Sequence, residues 1–347
     1  MLFRILEKPK FKELIEIMMD TMQVVGPTRV GIDVERKPIH QYLPIKNFAA
    51  LDLSYETTDY SAKTYFLPFQ EKLCTYSFTD DNWEQNIKYR LKPRALVGLH
   101  ACDINGLVRL DKVLARGTFP SPYYVSRRRN TLVVGIDHPP CNGGFCYDLG
   151  TDTVTHGFDL YLTDLGDRYF VAIGSDRGYT TLKQVEVRDV EDRDNDDYLE
   201  ARRAISSKFK SVVNAHNLPN LLDIEFESDV WRKWGEKCLS CGSCAMTCPT
   251  CYCYGILEDV SMDLTGGSKK KQLYSCNIVD FAEVAGGHNF RSKSETRLKY
   301  RYYHQHRGFV EAHEEPKCVG CGRCGRACLA GINPPDVIGD LQAEKLT

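Results

Sequence analysis

Apolar residues recur at helical spacing near the start of the chain. Residues 11–22 place five apolar side chains on one helical face: Phe11, Leu14, Ile15, Met18 and Met22. This pattern predicts an amphipathic helix.

Short unbroken apolar runs occupy residues 94–100 and 131–136, and residues 104–114 between them carry isoleucine and leucine at helical spacing. Unbroken runs of this length are typical of strands that are buried on both faces. The order strand, helix, strand predicts a βαβ unit with parallel strands. Residues 160–173, interrupted at Gly166 and Asp167, predict a β-hairpin.

Residues 186–203 are dense in Asp, Glu and Arg. We interpret this segment as a solvated connector, with a functional acidic patch as the alternative. Helical patterns follow at residues 199–216 and from residue 229 to 237.

Charge and hydropathy argue against three classes of protein: those that mainly wrap nucleic acid, those that span a membrane and those that are secreted. The chain has 347 residues, with 45 Lys and Arg against 47 Asp and Glu, so its formal net charge is −2. This balance argues against a protein that mainly wraps nucleic acid. No apolar run approaches the roughly 18 residues that span a bilayer, and the N-terminus lacks the apolar region of a secretory signal. We therefore expect a cytoplasmic protein with no membrane span.

Cysteine is the residue type that points to chemistry. The chain contains 15 cysteines, an odd number that cannot form a complete set of intramolecular disulfides. Eleven of them lie between Cys238 and Cys328. Clustered cysteines in a cytoplasmic chain indicate metal ligands or redox groups.

Two cysteine runs share one spacing. They are Cys238, Cys241, Cys244 and Cys248, and then Cys318, Cys321, Cys324 and Cys328. The spacing C-x2-C-x2-C-x3-C is that of bacterial two-cluster ferredoxins, in which the fourth cysteine of each run ligates the other cluster. It predicts one [4Fe–4S] cluster on Cys238, Cys241, Cys244 and Cys328. It predicts a second cluster on Cys318, Cys321, Cys324 and Cys248. Structural zinc usually takes two separated pairs of ligands and fits this pattern poorly.

These patterns together predict an α+β, or mixed α/β, fold. An N-terminal mixed-sheet docking domain would span residues 1–185, and a charged linker with a helical connector would span residues 186–235. A ferredoxin-like domain with two [4Fe–4S] clusters would span residues 236–347, and the 69 or so residues between its two cysteine runs would form a long insertion.

Other cysteines leave two additional sites open. Cys251, Cys253 and Cys276 could hold a third cluster, although we favour buried thiols because free cysteine is among the most buried residue types. Cys102, Cys141 and Cys146 lie after predicted parallel strands, where ligands often bind. With His100 or His138 they could hold another cluster or a metal, or they could be core residues beside a turn.

A basic and aromatic segment follows in residues 286–307. Nucleic-acid binding is one interpretation. We favour the alternative that these side chains offset the negative charge of thiolate-bound clusters and present a docking face.

Taken together, the sequence resembles the beta subunits of cytosolic NiFe hydrogenases of the sulfhydrogenase type, and more distantly a component of anaerobic sulfite reductase. The likeness rests on the cysteine runs and on four further motifs: His100-Ala101-Cys102-Asp103, the turn at Phe145-Cys146, Gly157-Phe158-Asp159-Leu160 and Val284-Ala285-Gly286-Gly287-His288-Asn289-Phe290-Arg291.

The resemblance implies an electron-transfer subunit with two partners. One would be a flavin subunit that binds FAD and handles NAD(P)H. The other would carry a catalytic metal, as in a NiFe hydrogenase, a sirohaem reductase or a heterodisulfide-reductase-like enzyme. The alternative is that this chain is itself catalytic at Cys102, Cys141 and Cys146.

Overall fold

A computed structural model describes residues 2–79, 82–87, 89 and 91–344. The strands are β1 (Leu2–Glu7), β2 (Gln23–Ile32), β3 (Pro38–Pro44), β4 (Gln70–Thr79), β5 (Asn82–Ile87), β6 (Arg94–Leu99), β7 (Thr131–Ile136), β8 (Leu160–Asp164), β9 (Arg168–Ile173), β10 (Tyr254–Val260) and β11 (Gly266–Leu273). The helices are α1 (Lys8–Thr21), α2 (Ala101–Leu114), α3 (Pro122–Arg129), α4 (Asp176–Leu182), α5 (Asp192–Ser206), α6 (Leu218–Ile224), α7 (Val230–Lys237), α8 (Ser243–Thr247), α9 (Ser294–His306), α10 (Gly308–His313), α11 (Arg323–Arg326) and α12 (Pro334–Glu344).

The larger sheet is mixed and runs in the order β1-β9-β8-β7-β6-β2-β3. Its central strands β2, β6, β7 and β8 are parallel to one another. At one edge β3 pairs antiparallel with β2, and at the other β9 pairs antiparallel with both β8 and β1. The predicted βαβ unit and the predicted hairpin are both confirmed, as β6-α2-β7 and β8-β9. The mixed α/β fold class is confirmed as well.

Helices cover both faces of this sheet. The predicted face of α1, with Phe11, Leu14, Ile15 and Met18, packs on one side against Val97 and Val134. Helices α2 and α3 pack on the other side, where they meet the alternate strand residues Leu96 and Val133. After their first residues, Arg94 and Thr131, strands β6 and β7 carry no polar side chain, because both of their faces are buried.

The smaller sheet joins distant parts of the sequence. Its order is β10-β11-β4-β5, so two strands from the insertion between the cysteine runs pair with two strands from the N-terminal part. Strand β11 pairs antiparallel with β4 from Gly266 opposite Ser77 to Gln272 opposite Gln70. The insertion is therefore built onto the N-terminal part of the chain.

The charged segment is mostly exposed, as expected of a solvated connector, but one buried residue anchors it. Helix α5 begins within it, and Asp194 is buried against the edge of the larger sheet. The Asp194 carboxylate accepts hydrogen bonds from Arg168 and Arg188. A charged segment can thus be ordered when a buried member of it has oppositely charged partners.

The C-terminal part has a helical core of its own. Apolar residues of α6, α7, α9 and α12 form one cluster, centred on Trp231, Leu298 and Val337, and Cys238 and Cys328 pack at its border. In the part of the chain that the structure describes, no helix has the length and hydropathy to cross a bilayer.

Candidate functional site

The two cysteine runs fold into similar loops. In each, a glycine with a left-handed backbone precedes a short helix: Gly242 (φ 80°) before α8 and Gly322 (φ 71°) before α11. Residues with a Cβ rarely adopt this conformation, so glycine suits both positions. The first three cysteines of each run lie around the turn, and the fourth lies just past the helix.

Cysteines from both runs line a first cavity, which is largely apolar. Five cysteines line it, and one of them, Cys324, also lines a second cavity. Of the other four, three come from the first run and one comes from the end of the second: Cys238, Cys241, Cys244 and Cys328. Cys241 is exposed to solvent, and the other three are partly buried. This is the set that the ferredoxin spacing predicts for one cluster.

A second cavity has the reciprocal composition. It is lined by Cys248 from the first run and by three cysteines of the second: Cys318, Cys321 and Cys324. Four cysteine sulfurs around a void are a donor set suited to a four-iron cluster. Phe145, from the loop after β7, also lines this cavity, so the N-terminal part of the chain forms one of its walls.

Arg301 and Tyr302 line both cavities. Helix α9 directs the Arg301 side chain between them, where Nη2 donates to the carbonyl oxygen of Cys244 at 3.2 Å and Nη1 lies 3.6 Å from Cys251 Sγ. The basic segment therefore supplies a buried positive charge to the cysteine region. Such a charge stabilises nearby thiolates.

Hydrogen bonds and charges lower the pKa of two thiols in the runs. The Ser243 hydroxyl lowers the pKa of Cys241. The pKa of Cys248 is held well below its usual range by a hydrogen bond with Cys251 and by the cations of Arg301 and Lys63. Both effects favour the thiolate, which is the form that binds metal.

Burial acts in the opposite direction on the second run. It raises the pKa values of Cys318 and Cys321, and it raises the pKa of Cys324 to about 12. Burial thus favours the protonated thiol at these three positions.

The structure does not bring Cys251, Cys253 and Cys276 together as one set of three. Their thiols form two separate pairs near the cavities. The thiol of Cys251 hydrogen-bonds Cys248, and Cys253 hydrogen-bonds Cys276. The hydrogen bond with Cys248, together with burial, holds the pKa of Cys251 well above its usual range. The hydrogen bond from Cys276 lowers the pKa of Cys253 to about 6.

The other three candidate cysteines do not act as one set. Cys102 and Cys146 pack with Val319 and Cys321 in a small apolar cluster behind the second cavity. Cys141 lies instead with the imidazoles of His100 and His138, within 4.8 Å of one ligand atom on each ring. The ends of the parallel strands β6 and β7 bring these residues together.

Sequence reasoning missed two buried cations. Lys63 is 1% exposed, and its Nζ donates to the carbonyl oxygens of Ala245 and Cys251. Arg323 lies inside the second cysteine run and pairs with Asp103, with 2.7 Å between Nη2 and Oδ2. A charged residue inside a cluster-binding loop is a weak signal for such a pair, because its partner lies 220 residues away.

Comparison with known proteins agrees with this geometry. Residues 237–332 match the family model of a 4Fe-4S dicluster domain. The whole chain is similar to the sulfhydrogenase 2 subunit beta of Pyrococcus furiosus, with 32% identity over 337 residues that cover 96% of each chain. The chain belongs to the sulfhydrogenase beta-subunit family. The resemblance seen in the motifs is thereby confirmed, and the dicluster domain contains all eight cysteines of the two runs. Family membership makes this an iron–sulfur subunit of the hydrogenase type.

Proposed function

We propose that this sulfhydrogenase beta-type chain relays single electrons through two [4Fe–4S] clusters. Cys238, Cys241, Cys244 and Cys328 would hold one cluster, and Cys318, Cys321, Cys324 and Cys248 the other. The observation that carries this proposal is that each crossed set of four cysteines lines one cavity. When bound, each cluster would exchange one electron at a time.

The exposed rim of the first cavity supports an electron-exchange surface. Cys241 is solvent-exposed there, and the neighbouring Leu239 and Leu329 are 62% and 83% exposed. Electron transfer requires close approach, and exposed apolar side chains around a redox site favour docking of a partner protein. The second cavity lies behind the loop that contains Phe145, so we infer that the first cavity faces a partner.

The partners we propose are a flavin subunit that binds FAD and NAD(P) and a subunit with a catalytic metal, in a cytoplasmic complex. Membership of the sulfhydrogenase beta family supports a NiFe hydrogenase as the catalytic partner. A sirohaem reductase or a heterodisulfide-reductase-like enzyme would be the alternative. Purification of the native complex without oxygen, followed by identification of its subunits, decides among them.

The crossed ligand assignment is tested with three serine variants of the full chain, examined by EPR during anaerobic redox titration. Cys241→Ser and Cys328→Ser should alter the same cluster signal, although they lie in different runs. Cys241→Ser and Cys248→Ser should alter different signals. Cys251 contacts Cys248 and could replace it as a ligand, so Cys248→Ser is also made together with Cys251→Ser.

Cys74→Ser is the matched control, because Cys74 is a buried cysteine of β4 that lines neither cavity. It should leave both signals unchanged. If Cys241→Ser and Cys248→Ser altered one and the same cluster, the crossed assignment would be wrong. If the anaerobically purified chain contained almost no iron, the proposed function itself would be wrong.

A catalytic site at Cys102, Cys141 and Cys146 receives less support. Burial holds the pKa of Cys102 well above its usual range and raises those of Cys141 and Cys146 to about 12, which favours unreactive thiols. Nucleic-acid binding by the basic segment also receives less support, because side chains of α9 such as Arg297 point inward and donate hydrogen bonds to backbone carbonyls. Electron transfer is therefore the function that we propose.

A further inference from the structure

Two histidines and a cysteine meet at the carboxyl ends of parallel strands. His100 follows β6 directly, His138 follows β7, and Cys141 lies in the next loop. One ligand atom of each residue lies within 4.8 Å of the others, and all three side chains are buried. The cluster takes no part in the two cysteine-lined cavities.

Both imidazoles have a nitrogen without a partner. Nε2 of His100 and Nε2 of His138 are buried, and neither has a hydrogen-bond partner among the described residues. Nδ1 of His138 lies 2.6 Å from the carbonyl oxygen of Pro139 and so must carry the proton, which leaves a lone pair on Nε2. An unpaired buried polar atom costs about 1–3 kcal/mol, and a histidine that donates one nitrogen to a carbonyl is oriented for metal binding by the other.

We propose that His100, His138 and Cys141 bind a single divalent transition-metal ion, for which Zn²⁺ is the best match. Two imidazole nitrogens and one thiolate are ligands that Zn²⁺ prefers, and three protein ligands leave a fourth position open. The imidazole rings stack with centroids 4.1 Å apart and 14° between their planes.

The spacing fits one ion better than a third cluster. In a tetrahedral zinc site the ligand atoms lie about 3.3–3.8 Å from one another, as bond lengths of 2.0–2.3 Å require. Here the three ligand atoms lie within 4.8 Å of one another, so they would need to move closer together by about 1 Å at most to bind one ion. Each of the two crossed cysteine sets, by contrast, lines a cavity. Cys102 and Cys146 pack against Val319 and Cys321, so they do not complete a set of cluster ligands around the histidines.

The ion would bind beside the second cavity. Between Cys141 and Cys146 the chain packs on the second cysteine loop, where Phe145 N donates to the carbonyl oxygen of Gly320 at 2.7 Å. The sulfur of Cys141 contacts the carbonyl oxygen of Glu56 at 2.8 Å, so a bound ion would replace that contact. The charged groups of Arg323, Arg326 and Glu56 lie near the thiol, and Asp103, Asp137 and Asp152 lie near His138. Two arginines thus face four carboxylates, and Arg202 pairs with Asp137, so a small negative excess remains that favours a cation.

Metal and sulfide analysis of the full chain, purified without oxygen and passed through a chelating resin, tests this site independently of the proposed function. Two cubanes account for eight iron atoms and eight sulfides. We expect one further metal ion per chain with no further sulfide. X-ray absorption at the zinc edge should show nitrogen and sulfur ligands in a ratio of about two to one.

Cys141→Ser and His138→Gln should each lose this additional ion while iron and sulfide stay constant, and Cys74→Ser should retain it. An additional ferrous ion without sulfide that Cys141→Ser removes would also support the site. The proposal is overturned by the absence of any additional metal in the unmodified chain, by zinc that persists in both variants, or by additional iron accompanied by an equal amount of sulfide. That last result would indicate a third cluster. Loss of the two cubanes with the additional zinc retained would instead count against the proposed function alone.

Discussion

At the scale of single residues, buried arginines place the positive charge in the cysteine region. Arg301 lies between the two cavities, and Arg323 is fully buried beside the second. Arg323 has a carboxylate partner in Asp103, which also accepts a hydrogen bond from Tyr42. Arg301 instead faces sulfurs and a backbone carbonyl, so its charge remains available to the cysteines.

Asp103→Asn should lower the free energy of unfolding by about 3–5 kcal/mol, because it leaves the Arg323 charge buried without a counter-charge. Chemical denaturation without oxygen measures this loss. The control is Asp189→Asn, which removes an exposed ion pair with Arg4 and should cost at most about 1 kcal/mol. Equal losses in the two variants would contradict the importance we give to the buried pair.

At the scale of elements, the loops on either side of the second cavity are fitted to each other. A Cβ on Gly322 would lie 2.7 Å from the backbone of Gly143, whereas a Cβ on Gly143 would meet no atom within 4 Å. Both glycines have positive φ, at 71° and 69°. Space, and not only conformation, therefore requires glycine at position 322.

Gly322→Ala and Gly143→Ala form a matched pair that separates these two effects. Each should lose about 1–2 kcal/mol for the left-handed backbone, and Gly322→Ala should lose about 1–3 kcal/mol more because the added methyl group forces the loops apart. Thermal unfolding and iron content report the difference. If both variants lost the same stability, the close approach of the loops would be refuted.

Helix α5 depends on ionised Asp194. Its hydrogen bonds with Arg188 hold the pKa of Asp194 below its ordinary range. A carboxyl whose folded pKa is depressed contributes stability above its unfolded pKa of about 3.9, and that stability is lost as pH falls through the folded pKa.

Asp194→Asn should therefore be destabilising at pH 6, by about 1–3 kcal/mol for charged hydrogen bonds, and the difference from the unmodified chain should shrink below about pH 4. Urea unfolding across this pH range measures it. Asp196→Asn, at an exposed position of the same helix, should show little effect at any pH. A difference that did not depend on pH would show that ionisation of Asp194 is not the cause.

At the scale of the whole molecule, the N-terminal and C-terminal parts interlock. Strand β11 pairs with β4, Arg109 Nε donates to the carbonyl oxygen of Pro316 at 2.7 Å, and Arg323 reaches Asp103. In each contact, one partner comes from before residue 235 and the other from after it, so the contacts cross the domain boundary that the sequence predicts. The dicluster part should therefore rely on the N-terminal part to fold.

A fragment of residues 236–347 should fail to assemble a stable pair of clusters, because β11 loses its neighbour β4 and Arg323 loses Asp103. Iron content, absorbance and resistance to proteolysis after anaerobic expression check this expectation. Co-expression with residues 1–235 is the control and should restore assembly. A fragment that bound both clusters alone would establish an independent dicluster domain.

Much of the fold was predictable from local pattern. Helix α1, the unit β6-α2-β7 and the hairpin β8-β9 follow from apolar periodicity, because each buries a regular face. The burial of Asp194 was not predictable, since nothing near it in the sequence shows that Arg168 and Arg188 will surround it. The arrangement of the two additional cysteine sets could not be predicted from local pattern either. Whether a thiol lines a cavity, contacts another thiol or lies beside a histidine depends on segments that are distant in the sequence.

The sequence by itself determined the repeated cysteine spacing, from which the two crossed ligand sets are predicted, and the family resemblance that comparison confirmed. Spacing within a loop is enough for this, because three ligands of each set lie within seven residues. Only the tertiary structure decided that Arg301 separates the cavities, that Cys141 joins His100 and His138, and that the insertion completes a sheet with β4. These arrangements depend on contacts between residues far apart in the chain, which local periodicity does not encode.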